Sequence, residues 1–357
     1  MAVNNEDPSR MTRILGESLI LTIGALLVLC GTSALLAQEP GGSRERTSGS
    51  GSTWYVTLDG SGHFTSIQEA IDQAQDGDTV FIKAGRYAED VTVHSKEGLK
   101  VIGEGPEKVF LAGLKRVGTL HIGKWPYGAT NVEIRGLTVQ QHGGLGVGIF
   151  NGEGVTLKNL KVNGFVFGQQ VHNVHIEHCV VGGSETTGIA FADSQATLID
   201  NLIHDNDHGV SIGGTSIVHL ERNVITRSLF EGVLVADQAE AMLIQNTLVN
   251  NQGGVKFQDD AVGTVAGNII DGAKVGIAWS VKHPVNIAQN GLHNIDVNYQ
   301  VAGQDGPPPG KSQAFSDVYA APKFVAPHQG DYRLQTDSPL LNVGEFPYLG
   351  ARGPVRE

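Results

Sequence analysis

The chain is poor in cysteine, methionine and aromatic rings, and each shortage narrows what it can be. Two cysteines, Cys30 and Cys179, occur in 357 residues. No disulfide framework can staple such a chain, so its stability must come from a long continuous core. Three methionines and only 25 Lys+Arg argue against a helical bundle. Charged residues make up 17% and sum to −12. Without a concentrated basic stripe, that field excludes nucleic acid and repels anionic membranes. It also disfavours a polyanionic polysaccharide, unless a local basic patch or a bridging cation overrides it. An aromatic content of 6% leaves few rings for sugars to stack on. Proline is scarce, at 13, while glycine reaches 48. That balance fits many tight turns between short strands and not a disordered chain.

One long apolar run is present. Residues 18–37 carry no charge, Arg10 and Arg13 precede them, and the small Ala37 stands before Gln38. Residues 1–37 read as a secretory signal peptide, or as an uncleaved anchor just long enough to span a bilayer. Met11 offers a second start with a short basic leader. Leu29 is too large for the usual lipid-attachment signal at Cys30. Export is therefore expected, to the periplasm, the exterior or the cell surface. Membrane contact would run only through an uncleaved first segment. Residues 38–52 form a flexible Gly/Ser-rich linker.

From Val132 onward a unit recurs about every 22 residues. Its first marker occupies Leu137, Leu160, Cys179, Asn201, Asn223, Asn246, Asn268 and Asn290. A second, a glycine opening a short strand, occupies Gly146, Gly168, Gly188, Gly209, Gly232, Gly254 and Gly276. Each unit holds about three short strands separated by Gly, Asn and Asp turns. The unit is too short for a propeller blade and lacks a leucine-rich or helical signature. A coil of parallel strands, one turn per unit, satisfies the period and spaces strands about 4.8 Å apart. The expected fold is all-β: a single-stranded right-handed parallel β-helix, a solenoid of about eight recognisable rungs. Alternation turns Leu198, Leu220, Leu243, Val265 and Ile287 inward. The five asparagines fall at one equivalent turn, where their amides can stack as an internal ladder. Cys179 shares their slot as a small buried residue.

The open ends of such a coil need caps. Residues 66–74 have helical spacing, with Ile67, Ala70 and Ile71 on one side, and form an N-terminal capping helix. Residues 53–117 thus comprise the front cap and first rungs, 118–300 the repeats, and 301–357 a closing segment. That last segment, after Pro307-Pro308-Pro309, either caps the far end or packs along the side.

Residues 59–72 (DGSGHFTSIQEAID) and 82–89 (IKAGRYAE) resemble the opening of pectin methylesterases. The same opening recurs across the pectin-lyase-like superfamily, including a periplasmic accessory protein of nitrous oxide reductase. The resemblance implies the cap and the fold. It carries no chemistry across, because the esterases' catalytic segments have no counterpart here. Asp207-His208-Gly209 and Asp259-Asp260 echo polygalacturonase motifs in the wrong order, without the accompanying Asn-Thr-Asp. If the chain is an enzyme, a polysaccharide lyase or glycoside hydrolase fits better than a methylesterase. The tail at 330–339 is similar to the closing segment of bacterial surface β-helix proteins.

Outward residues of the first strand form columns, and the early rungs gather Arg135, Lys158, His175, Glu177, His219 and Glu221 on one face. Stacked cations suit a lyase, in which a side chain abstracts a proton and its neighbours neutralise the sugar carboxylate. Lys158, Arg135, His175 and Glu177 are thus the catalytic candidates, with His219 and Glu221 binding substrate. The competing reading is a solvated sheet face with cross-strand charge pairs such as Lys158 beside Glu177. Asp237, Asp259 and Asp260 follow the glycine strand on adjacent rungs, at a spacing suited to sharing a calcium ion, to a glycosidase pair or to ordinary turns. No other cofactor is implied.

His172, His175 and His178 cannot all converge from one strand, and His204 and His208 fall in a turn. Gly209-Val210-Ser211-Ile212-Gly213 matches a nucleophile elbow, but its first glycine is a rung marker. Ile199, Met242, Ile244, Ala266 and Ala288 form an outward apolar band that calls for a cover, either the closing segment or a partner chain. Two functions remain. One is an exported protein that binds or modifies a polysaccharide along a lateral face. The other is a non-catalytic surface or assembly protein whose faces contact other chains or further copies of itself.

Overall fold

The computed structural model describes residues 51–114, 118–280, 285–302, 304–305 and 316–355. The signal or anchor segment and nearly all of the linker lie outside the described residues. Among the described residues, no helix is long and apolar enough to cross a membrane.

The strands wind into a right-handed parallel β-helix. Its first sheet contains eleven parallel strands, from Thr53–Val56 through Thr79–Ile82 and Lys100–Gly103 to Val285–Ala288. The eight strands from Glu133–Arg135 onward are the rungs marked in the sequence. The earlier three lack both markers, so the period does not reveal them. The short strands that follow each first-sheet strand, such as Leu202–His204 and Val224–Thr226, stack as a second sheet. Those opened by the marker glycines, such as His208–Gly213 and Glu231–Val235, stack as a third.

Alternation fixes the interior. Leu198, Leu220, Leu243 and Val265 are fully buried, and Ile287 nearly so, in one core running along the axis. At the first corner, between first and second sheets, every rung from Arg135 onward spends two residues. The leading residue is left-handed, as at Asn159 (φ 50°), Asp200 (φ 57°) and Arg222 (φ 53°). The second is the buried marker. Asn201, Asn223, Asn246, Asn268 and Asn290 are all fully buried there.

From Asn223 onward each asparagine Oδ1 accepts from the backbone N–H and the side-chain amide of the preceding rung. Asn246 Oδ1 accepts from Asn223 N at 2.9 Å and Nδ2 at 3.0 Å. Each Nδ2 also donates to a carbonyl of the rung before, as Asn223 does to Leu198 O at 2.8 Å. Every amide is thereby satisfied inside an apolar core, which is what permits its burial. The ladder begins at Cys179, whose N–H donates to Asn201 Oδ1 at 2.9 Å. Burial pushes the Cys179 thiol up to about 12, marking it as core and not nucleophile.

At the other end Asp317 takes the next slot, its Oδ1 accepting from Asn290 N at 2.7 Å and Nδ2 at 3.2 Å. Tyr299 donates its hydroxyl to the second oxygen of that carboxyl. The other two corners carry shorter polar ladders that the glycine and asparagine markers do not signal. Ser184 N donates to Asn206 Oδ1 at 3.0 Å, and Ser194 N to Ser216 Oγ at 3.1 Å.

Helix α1 (Ile67–Gln73) packs Ile67, Ala70 and Ile71 on the first strands. The Glu89 carboxylate accepts from Ile67 N at 2.8 Å and Gln68 N at 3.1 Å, satisfying two amides of its first turn. At the back, residues 316–355 form two small antiparallel hairpins, Phe324–Ala326 with Asp331–Leu334 and Leu341–Val343 with Phe346–Tyr348. Phe324, Tyr332, Leu334, Leu340 and Leu349 pack on Val224, Val249 and Ile269 of the second sheet. The closing segment therefore covers an apolar column on the second sheet, and not the expected band on the first. Met242 of that band remains 45% exposed. The difference arises because Leu202, Val224 and Ile269 also face outward, directly after the ladder residues.

Candidate functional site

The first-sheet columns align residue on residue. Thr156 lies between Glu133 and His175, and Lys158 between Arg135 and Glu177. Next come Thr197 and Ile199, then His219 and Glu221, then Met242 and Ile244. Alternation places these side chains outward, while Ile134, Leu157 and Ile176 between them are buried.

Two cations of this face, Arg135 and Lys158, are engaged with carboxylates, while the exposed Lys100, in register with Glu133, makes no ion pair among the described residues. Lys158 Nζ lies 2.7 Å from Glu177 Oε1, and Arg135 Nε 2.8 Å from Glu133 Oε1. Glu221 is held by the Arg222 guanidinium. Arg222 also bonds Asp200 at 3.1 and 3.2 Å, and Arg352 of the closing segment reaches Asp200 at 3.2 Å. His219 is pushed towards its neutral form, chiefly by burial and then by Arg222. Its buried Nε2 makes no hydrogen bond and lies 3.9 Å from Glu221. His175 Nε2 is 3.1 Å from Asn173 Oδ1.

Between these ion pairs lies a shallow groove of about 140 Å3, lined by Thr156, His175, Ile176, Glu177, Thr197 and Ile199. It brings together two of the catalytic candidates, His175 and Glu177, with Lys158 held at Glu177. Arg135 stands one rung further forward, and His219 and Glu221 sit on the next rung back, in the Arg222–Asp200 network. Thr156 and Thr197 were visible only as column neighbours, yet they supply the groove's hydroxyls. Hydroxyls, an imidazole and the apolar flank of Ile199 are suited to hydrogen-bonding and packing an uncharged polar ligand.

The aspartate column is a line of bends. Asp193, Asp237 and Asp259 are left-handed (φ 50°, 58° and 56°), a conformation that Asp tolerates. Asp237 Oδ2 accepts from Gly214 N at 2.7 Å, and Asp259 Oδ2 from Asp237 N at 3.4 Å. Their carboxylates thus serve the backbone of the neighbouring rung. Among the described residues, no three His, Cys, Asp or Glu side chains converge as a metal site, with Asp260 or without. Of the three histidines at 172, 175 and 178, only His175 lies in a strand (Val174–Glu177).

His204 and His208 lie in strands, Leu202–His204 and His208–Gly213, because the bend falls between them at Asp205 (φ 56°). This placement creates a second charged cluster, on the third sheet. His208 Nδ1 is 3.3 Å and Lys256 Nζ 3.5 Å from the Glu231 carboxylate. Burial opposes ionisation of Glu231, but the neighbouring His208 imidazole and the charge of Lys256 outweigh it and hold the carboxyl at about 2. The Phe230 ring stacks on His208 at 5.1 Å and stays 43% exposed. His208, Glu231 and Gly253, each just before a marker glycine, fall in one column of the later rungs, and reading it would have paired His208 with Glu231.

Residues 129–306 match the family described as periplasmic copper-binding protein (NosD), and residues 53–139 match pectinesterase. The two matches overlap and join a cap to a repeat array in the order in which the coil is built. The chain is a pectin-lyase-like parallel β-helix protein.

A pectinesterase of Petunia integrifolia is 33% identical over 127 residues, covering 30% of this chain. This β-helix protein spans about a third (34%) of the length of that curated relative. Similar solved folds include pectate lyase Pel9A (13% identity, TM-score 0.46, 86% of this chain and 97% of the other). A lacto-N-biosidase of Eubacterium ramulus shows 11% identity and TM-score 0.46 over 75% of this chain and 68% of its own. The pectin methylesterase of carrot shows 11% identity and TM-score 0.40 over 78% and 89%. The copper of the NosD description finds no fitting ligand set among the described residues. The buried Cys179 thiol, held up at about 12, is not available to one.

Proposed function

We propose that this exported β-helix protein binds a neutral polysaccharide along the outer face of its first sheet, without cleaving it. The groove lined by Thr156, His175, Thr197 and Ile199 carries this reading. Proton abstraction needs a base with a free lone pair. The ammonium of Lys158, 2.7 Å from a carboxylate, offers none. The pairing of Arg135 with Glu133 and of Lys158 with Glu177 also leaves no surplus cation at the groove itself to neutralise a uronate, the unpaired Lys100 lying two rungs ahead of Thr156. Together with the net charge of −12, this favours an uncharged glycan over a polyanion. The pectinesterase matches support a carbohydrate ligand, and the NosD description supports export.

Affinity electrophoresis of the full chain tests the reading, in gels holding methyl-esterified homogalacturonan, de-esterified polygalacturonate or a neutral β-glucan. Retardation by an uncharged glycan, weakened in His175→Ala and Thr197→Ala, is the expected result. Free migration in all three gels would remove it. The exposed Ile217 and Met242 favour a second reading, self-assembly through the first sheet. A concentration-dependent sedimentation coefficient abolished by Met242→Lys would establish that instead.

A further inference from the structure

The corner between the third and first sheets is short in most rungs. It comprises residues 151–155, 170–173, 193–194 and 214–216 in successive turns. In the turn before them it runs over residues 123–132. The added residues include a tight reversal, in which Lys124 N donates to Tyr127 O. The reversal carries Trp125 and Tyr127 at 69% and 59% exposure. The other two tryptophans are committed to structure: Trp279 is buried, and Trp54 donates its Nε1 to Asp78 at 2.9 Å. In a chain with 6% aromatics, two solvated rings on one reversal are a departure from the pattern of the coil.

Their place in the fold ties them to the groove. Thr130 bridges to Glu97 and Glu153, and Glu153 to His172, so the reversal stands on the same corner that leads into each first-sheet strand. Thr156, His175 and Thr197 lie at or near the starts of those strands, beside that corner. The extended corner feeds Glu133–Arg135, one rung ahead of Thr156 and two ahead of His175. Rungs stack about 4.8 Å apart, close to the advance of one hexose along an extended glycan.

We infer that Trp125 and Tyr127 form an aromatic platform at the front end of the groove, stacking on an uncharged sugar ring of the same glycan. The inference rests on the proposed glycan-binding reading and adds to it the ring-stacking subsite. Each ring presents a flat apolar face beside a polar edge, the combination that suits a pyranose with its axial C–H groups on one side and hydroxyls at its rim. Residues 124–127 of the reversal are all exposed, so replacing the two rings leaves the coil intact.

The test uses the full chain and whichever uncharged polymer retards it, methyl-esterified homogalacturonan or the β-glucan. Titration should shift the tryptophan emission and shield it from iodide quenching. Both effects should vanish in Trp125→Ala, because Trp279 is buried and Trp54 is packed on the core with its Nε1 bonded to Asp78. Trp125→Ala/Tyr127→Ala should bind roughly tenfold more weakly or worse, with Tyr127→Phe close to the unaltered chain. Unchanged affinity in the double variant, alongside weakened binding in His175→Ala, would overturn the platform and leave the groove standing. Absence of glycan binding by the unaltered chain would overturn both. Trp125-dependent sedimentation with phosphatidylglycerol vesicles, without a glycan-induced emission shift, would overturn the platform in favour of a lipid surface.

Discussion

Replacing Asn246 with alanine probes the ladder where it has neighbours on both sides. The change removes five hydrogen bonds. Oδ1 no longer accepts from Asn223 N at 2.9 Å and Nδ2 at 3.0 Å, and Nδ2 no longer donates to Leu220 O at 2.8 Å, Asn268 Oδ1 at 3.1 Å and Ile244 O at 3.3 Å. Asn223 Nδ2 keeps its bond to Leu198 O, and Asn268 Oδ1 keeps the N–H of residue 246. The Asn223 backbone N–H is left without this acceptor in a site with no solvent. Stranding one buried donor costs about 1–3 kcal/mol, and each further lost bond about 0.5–1.5 kcal/mol. The sum is about 3–9 kcal/mol. Urea unfolding followed by far-ultraviolet circular dichroism and by the buried Trp279 should show a lower midpoint with an unchanged slope. Thr264→Ala, on the outward face of the adjacent rung, should stay within about 0.5 kcal/mol. A loss below about 1 kcal/mol for Asn246→Ala would refute the claim that the amide column is a principal source of stability.

Other outcomes follow from the charge pairs and buried groups. Lys158→Ala should cost under about 1 kcal/mol, since its partner is half-exposed, and should weaken glycan retention less than His175→Ala does. The low folded value of Glu231, about 2 against an ordinary 4.5, means that its contribution is complete above pH 4.5 and fades as pH falls towards 2. Glu231→Gln should therefore cost about 1–3 kcal/mol at pH 7 and progressively less in acid, as urea titrations across pH would reveal. Asp317 shifts the other way: burial raises its carboxyl despite the hydrogen bonds from Asn290 and Tyr299. Stability should decline as pH rises from 3.8 through its raised folded value, and Asp317→Asn should abolish that component of the pH profile. In a Cys30→Ser background, Cys179 should resist thiol reagents until the chain unfolds, because burial holds it at about 12.

The coil was legible because its constraint repeats. A buried amide must be hydrogen-bonded in every rung, so Asn recurs at one phase from Asn201 to Asn290, and the inward leucines follow from alternation. The front three rungs were not legible as rungs, because Val80, Val101 and their neighbours meet the same core without a polar ladder beside them. Column membership was also readable, and Lys158 beside Glu177 was foreseen as a charge pair. Occupancy was harder to read. Which acid takes which cation depends on side-chain reach, and Arg222, at a corner, captures Glu221 and Asp200 although it belongs to neither column. The covered face was misassigned because two outward apolar columns exist, and strand alternation alone does not say which one a hairpin will reach. The Trp125 reversal escaped notice because it interrupts the period on which everything else was read.

The three corners differ in how much chain they admit. The first takes a left-handed residue and a ladder residue in each repeat from Arg135 onward, and a single insertion there, for example after Ile199, would sever the amide column into two halves. The third already ranges from residues 193–194 to residues 123–132 without altering the coil behind it. Length variation among chains of this build should collect along that one permissive seam, so new recognition loops can be gained there while the opposite seam stays invariant.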